Sequence, residues 1–376
     1  MELQELTIIA WGRLNSMKFD KKYTFVKFAS ENEGPQRKLD WDKGSLNGYI
    51  EYTIKTVTPL FIPNTTNEDV FNLNKEEHNS YAFYSYEDLS IKHDDLSKIM
   101  PIIPGSEIRG MYRSYYEFLS DSCLSKSNDD VITIIKNGKI KNEKTINIKD
   151  KRGKYSNEEC NKDNGVCRAC SLFGTANDSF AVASKLRFTD LTPKTPNGWY
   201  GEKCHLKPLG SPKLKDEIDS IGRKMYNFNS ILKENDYKDK EAKKLGCTIV
   251  PIKKDIEFLG KVYFESLSEK DLNELIYLIG CNGKINEFSN HGYKLGRGKP
   301  LGLGSIVVKV NKIKLRKAIM DEANVRIIEE SYNDKYSKPS FKQENDFVKI
   351  TSSDNNINNH NKGNNSIYNG KYHGKK

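Results

Sequence analysis

The sequence predicts an α+β fold in which long strands alternate with two amphipathic helices. Apolar and polar residues alternate, as in half-buried strands, in YIEYTIKT (49–56), FLGKVYFE (258–265) and SIVVKVNKIKL (305–315). Apolar residues recur with helical spacing in IPGSEIRGMYRSYYEFL (103–119) and SLSEKDLNELIYLIG (266–280). The elements therefore follow one another as strand, helix, strand, helix, strand.

The first helix is expected to begin after the Pro104–Gly105 turn, with Ser106 as its N-terminal cap. Its apolar face comprises Ile108, Met111, Tyr112, Tyr115, Phe118 and Leu119. Arg109 and Arg113 lie four residues apart on another face, near the positive end of the helix dipole. This arrangement favours an anion site. The alternative is a pair of solvated arginines on an amphipathic helix.

The second helix carries both start and stop signals. Ser268 and Asp271 form a capping-box pattern at its start, and Gly280 is expected to end it. The stripe predicted to be buried consists of Leu272, Leu275, Ile276 and Ile279.

A further strand is predicted over FAVASKLRF (180–188), with Val182, Leu186 and Phe188 on one side. Lys185 and Arg187 lie on the other side, which suits a sheet that binds a phosphate backbone. With this strand the order matches the β-α-β-β-α-β ferredoxin-like unit. RNA-recognition domains use a four-stranded sheet of the same kind.

The predicted domain organisation is a single core with large insertions. The segments are an N-terminal extension (1–45), a core (46–315) with a thumb-like loop (62–100) and a cysteine-containing insertion (123–180), a C-terminal extension (316–351), and a tail (352–376). The tail consists largely of Asn, Gly and Lys and is expected to be disordered.

Composition limits the possible functions less strongly than the motifs do. The 376 residues carry a net charge of +10, but the excess of Lys and Asn makes basicity alone a poor argument for nucleic acid. No apolar run approaches the ~18 residues of a membrane span, and the first residues lack the layout of a signal peptide. We therefore expect a cytoplasmic protein without membrane contact. In that compartment the cysteines are expected to be thiols or metal ligands.

Cys160, Cys167 and Cys170 suggest a structural zinc site, because a Cys-x-x-Cys pair lets two thiolates converge from one turn. Spacing does not identify the fourth ligand. Cys123, at the end of the first helix, is slightly favoured over His205. The alternatives are free thiols in a small apolar cluster and a redox pair, although the strand-helix context of a thioredoxin-like site is missing.

The stretch GYKLGRGKPLGLGS (292–305), here called the glycine-rich loop, combines backbone freedom with positive charge. Lys299 is followed by proline, which excludes a P-loop, and the loop leads into a strand, which excludes the dinucleotide fingerprint. A simple turn is the plainest alternative. A loop that lies against phosphates is the other, with Arg297 and Lys299 as cations.

Taken in order, these motifs resemble the RAMP superfamily of CRISPR proteins. IPGSEIRGMYRS resembles the first-helix motif of that superfamily, and GYKLGRGKPLGLGS resembles its C-terminal glycine-rich loop. CRACSLFG followed by SKLRFTDL resembles the cysteine segment of type III backbone subunits. The strand-helix pair FLGKVYFESLSEKDLNELIYLIG is also similar. The resemblance spans roughly residues 46–312.

The resemblance implies a modified ferredoxin-like (RRM-like) fold with large insertions that binds CRISPR RNA and target RNA and assembles with other type III effector subunits. The residues implied to bind RNA are Gly105, Ser106, Arg109, Arg113, Lys185, Arg187, Gly296, Arg297, Gly298, Lys299, Gly302 and Gly304. The implied structural Zn²⁺ site uses Cys160, Cys167 and Cys170.

Many type III backbone subunits cleave target RNA with an acidic residue in the loop after the first strand, using Mg²⁺ or another divalent cation. The corresponding loop here reads PNTTNEDVFN, in which Asp69 is the first candidate and Glu68 the second. The glycines usual in the family are absent. The alternative functions are a non-catalytic structural subunit and a CRISPR repeat-processing endoribonuclease, for which His78, His93 and His291 are candidate general acids or bases. A metal-stabilised nucleotide-binding domain is the fourth hypothesis.

Overall fold

The computed structural model of the chain describes residues 23–30, 33–39, 41, 44–64, 80–87, 98–124, 135–136, 139–140, 153–177, 180–206, 222–229, 247–321 and 324–353. The expected tail lies almost entirely outside these residues, so its disorder remains a prediction.

The structure combines many short strands with a few long ones. The strands are β1 (Tyr23–Lys27), β2 (Arg37–Lys38), β3 (Leu46–Thr56), β4 (Ser80–Tyr81), β5 (Ile135–Lys136), β6 (Lys139–Ile140), β7 (Val166–Cys167), β8 (Thr175–Asn177), β9 (Phe180–Val182), β10 (Leu186–Phe188), β11 (Thr192–Pro193), β12 (Cys204–Leu206), β13 (Gly222–Tyr226), β14 (Cys247–Ile249), β15 (Glu257–Leu267), β16 (Gly292–Lys294), β17 (Ser305–Asp321) and β18 (Asn324–Ser331). The α-helices are α1 (Gly105–Leu119), α2 (Arg168–Phe173), α3 (Glu269–Gly280) and α4 (Glu344–Thr351).

The central sheet is antiparallel, with the strand order β10-β15-β3-β17-β16. Strand β11 pairs with β15, and β18 continues from β17 as a hairpin. Together with the helices, this sheet makes a mixed α/β fold. The predicted α+β class is confirmed at this level.

Alternation in the three long strands determines which face of the sheet is buried. In β3, Ile50, Tyr52 and Ile54 have no exposed surface and face the helices, where the Tyr52 ring meets the Tyr112 ring edge-on at 6.3 Å. The residues between them point to the opposite side, here called the open face. Strand β17 keeps the same alternation across a bulge between Val310 and Lys312.

Helix α1 forms because one of its faces is continuously apolar. All six residues predicted for that face are buried. The expected cap is wrong, because Pro104 is the residue that precedes the helix in extended conformation and no side chain caps it. Ser106 lies in the first turn and is exposed.

Helix α3 begins with the predicted capping box, in which the Ser268 hydroxyl accepts from the Asp271 amide at 3.1 Å. Its predicted stripe is buried throughout. The helix end is predicted one residue too early. Gly280 still belongs to the helix, and Cys281 adopts the left-handed conformation with φ of 49°.

Two parts of the sheet differ from the sequence prediction. The strand expected over 180–188 is two strands, β9 and β10, because the chain breaks its alternation at Ser184, whose hydroxyl donates to the Leu186 carbonyl. Strand β17 continues past the core to Asp321 and returns as β18. Apolar side chains along this hairpin are exposed, namely Ile319, Met320, Val325, Ile327 and Ile328.

Both terminal extensions pack on the core where the structure describes them. Strand β1 pairs with β13 and β2 pairs with β7, each an antiparallel contact between residues more than a hundred positions apart. At the other end, Phe347 of α4 is fully buried against the Tyr115 and Tyr293 rings. No helix within the described ranges is long and apolar enough to cross a membrane.

Candidate nucleic-acid interface and metal centre

Four buried cysteines converge beside the end of helix α1. The Sγ atoms of Cys123, Cys160, Cys167 and Cys170 all lie within 4.8 Å of one another. The Sγ atom of Cys123 is 3.4 Å from that of Cys170 and 3.5 Å from that of Cys167. Four sulfurs around a tetrahedral zinc at 2.3 Å are about 3.8 Å apart, so the cluster is close to that geometry.

Local structure explains why these four thiols meet. Helix α1 ends before Cys123, and the pairing of β2 with β7 fixes Cys167 through its register with Arg37. Helix α2 then turns Cys170 back towards the same point, and the Cys167 amide lies 3.4 Å from the sulfur of Cys160. Cys123 is therefore the fourth member, as the sequence favoured.

His205 lies elsewhere. Its Nδ1 contacts the Thr248 hydroxyl at 2.7 Å in the small sheet of β12, β14 and β4. It is not part of the four-cysteine group.

Hydrogen bonds between the four thiols give them different pKa values. The hydrogen bond shared with Cys123 lowers the pKa of Cys167 to about 7, and the one that Cys160 shares with Cys123 lowers the pKa of Cys160. The pKa of Cys123 is raised well above its ordinary value, because it hydrogen-bonds to the other three thiols and is buried. The hydrogen bond with Cys123 acts to lower the pKa of Cys170, but those with Cys160 and Cys167 act in the opposite direction and the pKa of Cys170 is raised. Cys160 and Cys167 are therefore the two thiols that favour the thiolate, which is the form of cysteine that binds metal.

The Arg113 guanidinium lies against this cluster. It contacts the Cys170 sulfur at 3.7 Å, donates to the Gly174 carbonyl at 2.8 Å and pairs with Glu117 at 2.9 Å. Burial opposes its charge, but Glu117 and the cysteine sulfurs outweigh burial and raise the pKa of Arg113. A cation beside a thiolate set is the kind of surrounding contact that stabilises a metal site.

The start of α1 makes contacts within the chain, where phosphate contacts were expected. The Gly105 amide donates to the Asp190 carboxylate at 2.5 Å, so a carboxylate of the chain itself occupies the helix N-terminus. Arg109 donates to the Phe173 carbonyl at the end of α2. Burial and the neighbouring Arg113 charge lower the pKa of Arg109. The two arginines satisfy carbonyls at the C-terminus of α2.

The glycine-rich loop is folded tightly against the segment that follows β3 and leads into the thumb-like loop. The Arg297 amide donates to the Phe61 carbonyl at 2.8 Å, and the Gly304 amide donates to the Pro59 carbonyl at 2.9 Å. Gly304 has φ of 77°, and a Cβ there would lie 1.9 Å from the Leu295 carbonyl oxygen. A Cβ on Gly296 would lie 2.3 Å from the Phe61 oxygen. These glycines are required by packing inside the chain.

The three cations of this loop differ in exposure. Lys294 is 2% exposed, and its ammonium donates to the Gly302 carbonyl at 2.9 Å and the Leu303 carbonyl at 3.2 Å. Lys299 is half-buried, and burial lowers its pKa although Glu107 acts in the opposite direction. Arg297 is exposed. The loop thus holds one basic side chain inside and presents another to solvent.

The open face of the sheet is rich in cations and aromatic rings. Glu51 lies between Lys261 and Lys312, each 3.5 Å away. The guanidinium of Arg316 lies 5.2 Å from the centre of the Tyr49 ring and 5.7 Å from that of Tyr263.

A second aromatic contact on this face was not singled out from the sequence. The half-buried Phe288 ring lies between Lys55 and Lys309, whose ammonium groups are 4.5 and 5.0 Å from its centre. Its position depends on the fold of the loop after α3, for which the sequence offers no periodic signal.

The two cations predicted on the strand over 180–188 both reach the surface. Arg187 lies on the open face opposite Tyr263, is 82% exposed, and pairs with Glu265 at 4.0 Å. Lys185 is half-exposed and donates to the Ser266 carbonyl at 3.3 Å. A weak pair at this exposure leaves Arg187 able to exchange its partner for a phosphate.

The candidate catalytic acids Asp69 and Glu68 lie outside the described residues, as do His78 and His93. Among the histidine candidates His291 is described. It is half-buried, and its Nδ1 lies 3.3 Å from the Thr351 hydroxyl.

Sequence comparison assigns the family. A family model described as the RAMP superfamily matches residues 53–375, and the chain belongs to that superfamily. No curated protein sequence matches the chain. A chain of a solved structure titled "Type IV-B CRISPR Complex" is similar in fold, with a TM-score of 0.35 and 14% identity over 73% of this chain and 95% of that chain. A likeness at this level implies nothing about activity.

Proposed function

We propose that the chain is a CRISPR RNA-binding subunit of a type III CRISPR–Cas effector complex. Membership of the RAMP superfamily supports a CRISPR-associated role. The strand order supports a modified ferredoxin-like core, because β3, α1, β10, β15, α3 and β17 follow the β-α-β-β-α-β sequence and lie in the order β10-β15-β3-β17.

The observation that carries this proposal is the glycine-rich loop. Backbone amides of the loop donate to the carbonyls of Pro59 and Phe61. The buried Lys294 ammonium donates to the carbonyls of Gly302 and Leu303 in the same loop. A loop braced in this way holds the exposed Arg297 in place before any ligand arrives. Preorganised cations lose less entropy when they bind phosphate.

The open face extends the same chemistry across the sheet. Lys55, Lys261, Lys309, Lys312 and Arg187 are spread over neighbouring strands, as an extended polyanion requires. Contacts of this kind bind the RNA backbone without reading its sequence, which suits a protein that must accept many guide sequences.

The test replaces Arg297 with alanine in the full chain and measures affinity for several unrelated single-stranded RNAs against salt. We expect affinity to fall by a similar factor for every sequence, and the slope of log K against log salt to shrink by about 0.7, the value for one phosphate on a single strand that is no longer neutralised. The matched control is Lys317→Ala, an exposed cation that pairs with Glu330 at 2.9 Å on the β17–β18 hairpin. Equal effects of both variants, or a reduction confined to one RNA sequence, would contradict the proposal.

Zinc is the metal proposed for the four-cysteine cluster, with all four thiolates as ligands. Tetrahedral all-sulfur sets suit zinc, and a closed set of four protein ligands is typical of structural sites. The bound ion would cross-link the end of α1 to α2 and β7. The Arg113 charge would offset part of the negative charge of the site.

The type III assignment and target-RNA cleavage rest on the cysteine segment and on Asp69. The decisive measurement uses the effector complex purified with its guide RNA, given labelled complementary RNA and Mg²⁺, with wild type, Asp69→Ala and Glu68→Ala compared. Loss of cleavage products with Asp69→Ala alone makes this a nuclease subunit. Unchanged products in both variants, with the guide still bound, make it a non-catalytic RNA-binding subunit.

A further inference from the structure

The N-terminal extension and a distant segment form a two-stranded ribbon beside the glycine-rich loop. This N-terminal ribbon consists of β1 and β13, paired antiparallel from Tyr23 opposite Tyr226 to Lys27 opposite Gly222. Val26, Arg223 and Met225 form its inner face and are at most 4% exposed. The buried Arg223 guanidinium lies 5.1 Å from the Phe28 ring, donates to the Ser122 carbonyl and so anchors the ribbon next to Cys123.

The outer face of the ribbon is aromatic and basic. Its residues are Tyr23, Phe25, Lys27, Lys224 and Tyr226, and each is half-exposed or exposed. The Tyr23 ring meets the Phe25 ring edge-on at 5.5 Å and the Tyr226 ring at 6.2 Å. Lys224 lies 4.4 Å from the centre of Tyr23 and 5.6 Å from that of Tyr226. Neither strand contains an acidic residue.

Packing joins this face to the glycine-rich loop. Phe228 lies two residues after the end of β13, its ring fits against Gly292, and its carbonyl accepts from the Ser305 hydroxyl at 2.7 Å. The Lys299 ammonium lies 6.0 Å from the centre of the Tyr226 ring. The outer face therefore continues from the loop that carries Arg297 and Lys299.

Adjacent aromatic rings with interleaved lysines are the composition of surfaces that bind single-stranded nucleic acid. Bases stack on the rings whatever their identity, and ammonium groups pair with the phosphates between them. An acidic protein would match the charge but has no need of neighbouring aromatic rings. The family match begins at residue 53, so β1 lies outside it and the ribbon adds to what the family alone implies.

We propose that the outer face of the N-terminal ribbon binds single-stranded RNA by stacking nucleobases on Tyr23, Phe25 and Tyr226, as a continuation of the backbone contacts of the glycine-rich loop. This inference rests on the RNA-binding function proposed above and deepens it. The ribbon would add base stacking to the phosphate contacts that the glycine-rich loop makes.

The test uses the full chain, a single-stranded oligouridine of about 12 nucleotides and an abasic oligonucleotide of the same length. Wild type should bind the abasic probe at least about tenfold more weakly, since each stacked base strengthens binding by about tenfold. The triple variant Tyr23→Leu, Phe25→Leu, Tyr226→Leu should bind both probes with nearly equal, reduced affinity. The variant Tyr23→Phe, Tyr226→Phe keeps the rings and should bind like wild type.

The buried inner face is unchanged in these variants, so a single cooperative thermal unfolding transition reports that the ribbon is folded. The triple leucine variant should unfold at a somewhat lower temperature, because it loses the contacts among the three rings. The proposal is overturned if the triple leucine variant keeps the wild-type preference for bases over abasic sites. It is also overturned if RNA binding is unchanged while association with other complex subunits is abolished, because the face is then a protein interface. Arg297→Ala tests the loop separately, so a failed ribbon with a functional loop leaves the RNA-binding proposal intact.

Discussion

The arginines of helix α1 and the arginine of the glycine-rich loop differ in what their guanidinium groups contact. Arg109 and Arg113 turn inwards, and donate to carbonyls at the end of α2. Arg297 is held through its backbone amide by Phe61, and its side chain is exposed. Both segments show arginine close to glycine in the sequence, yet Arg109 and Arg113 donate to carbonyls of the chain while the Arg297 side chain is exposed.

The difference follows from the unsatisfied groups nearby. Helix α2 has six residues, so its last carbonyls have no partners within the helix. The arginines of α1 pass beside that end and satisfy them. The glycine-rich loop satisfies its own carbonyls with the buried Lys294, so Arg297 is not needed for that purpose. Variants in the first region should therefore change stability, and variants in the second should change RNA binding.

The largest effect is expected at the cysteine cluster, which belongs to the first region. Cys167→Ser removes one of four thiols and should release the zinc proposed for the cluster, lowering the free energy of unfolding by about 4 kcal/mol or more, as is typical when a structural metal is removed. The measurements are metal content per chain and thermal unfolding. Cys204→Ser is the control, because this thiol is half-buried in a different sheet. Unchanged metal content in Cys167→Ser would rule out the cluster as a zinc site.

Gly304→Ala tests whether close backbone packing holds the glycine-rich loop in its conformation. The new Cβ would lie 1.9 Å from the Leu295 carbonyl oxygen in a residue with φ of 77°, and we expect a decrease of about 2 to 4 kcal/mol in unfolding free energy. Gly110→Ala is the matched control, because a Cβ there meets nothing within 4 Å. Since Gly110 lies inside helix α1, the control should be stabilised by up to about 1 kcal/mol. Equal chemical-denaturation midpoints for both variants would contradict the packing role.

Arg113→Ala is expected to cost less than removal of the metal, and to separate the two kinds of arginine most directly. It removes the bond to Gly174 and the ion pair with Glu117, which is 4% exposed. We expect a decrease of about 2 kcal/mol in unfolding free energy, with RNA affinity of the folded protein unchanged. Arg187→Ala should show the opposite pattern, with stability nearly unchanged. If the folded Arg113→Ala protein bound RNA more weakly than wild type, Arg113 would belong to the RNA interface.

Local periodicity in the sequence is enough to predict which residues of a helix or strand are buried. The buried stripes of α1 and α3 and the inward residues of β3 follow from burial on one face. Short spacing groups Cys160, Cys167 and Cys170, whereas Cys123 is only slightly favoured over His205 as the fourth member. Partners distant in sequence were not predictable. The pairing of Thr24 with Met225 has no local signal, and neither do the carbonyls that Arg109 and Arg113 reach.

The smallest effect is expected at Lys299, where the question is whether this half-buried cation contacts RNA as Arg297 is proposed to do. Burial lowers its pKa, so raising the pH should discharge this lysine before an ordinary one, while below its lowered pKa the ammonium is fully present. RNA affinity should therefore begin to weaken at a lower pH than it would with an ordinary lysine, whose pKa is about 10.4, because one phosphate loses its cation first. A 2′-O-methyl oligoadenosine avoids both strand hydrolysis and titration of the bases. Lys299→Arg keeps its charge throughout and should flatten the pH dependence. If wild type and Lys299→Arg follow the same curve, Lys299 belongs with the inward-facing scaffold cations, and Arg297 alone represents the loop at the RNA interface.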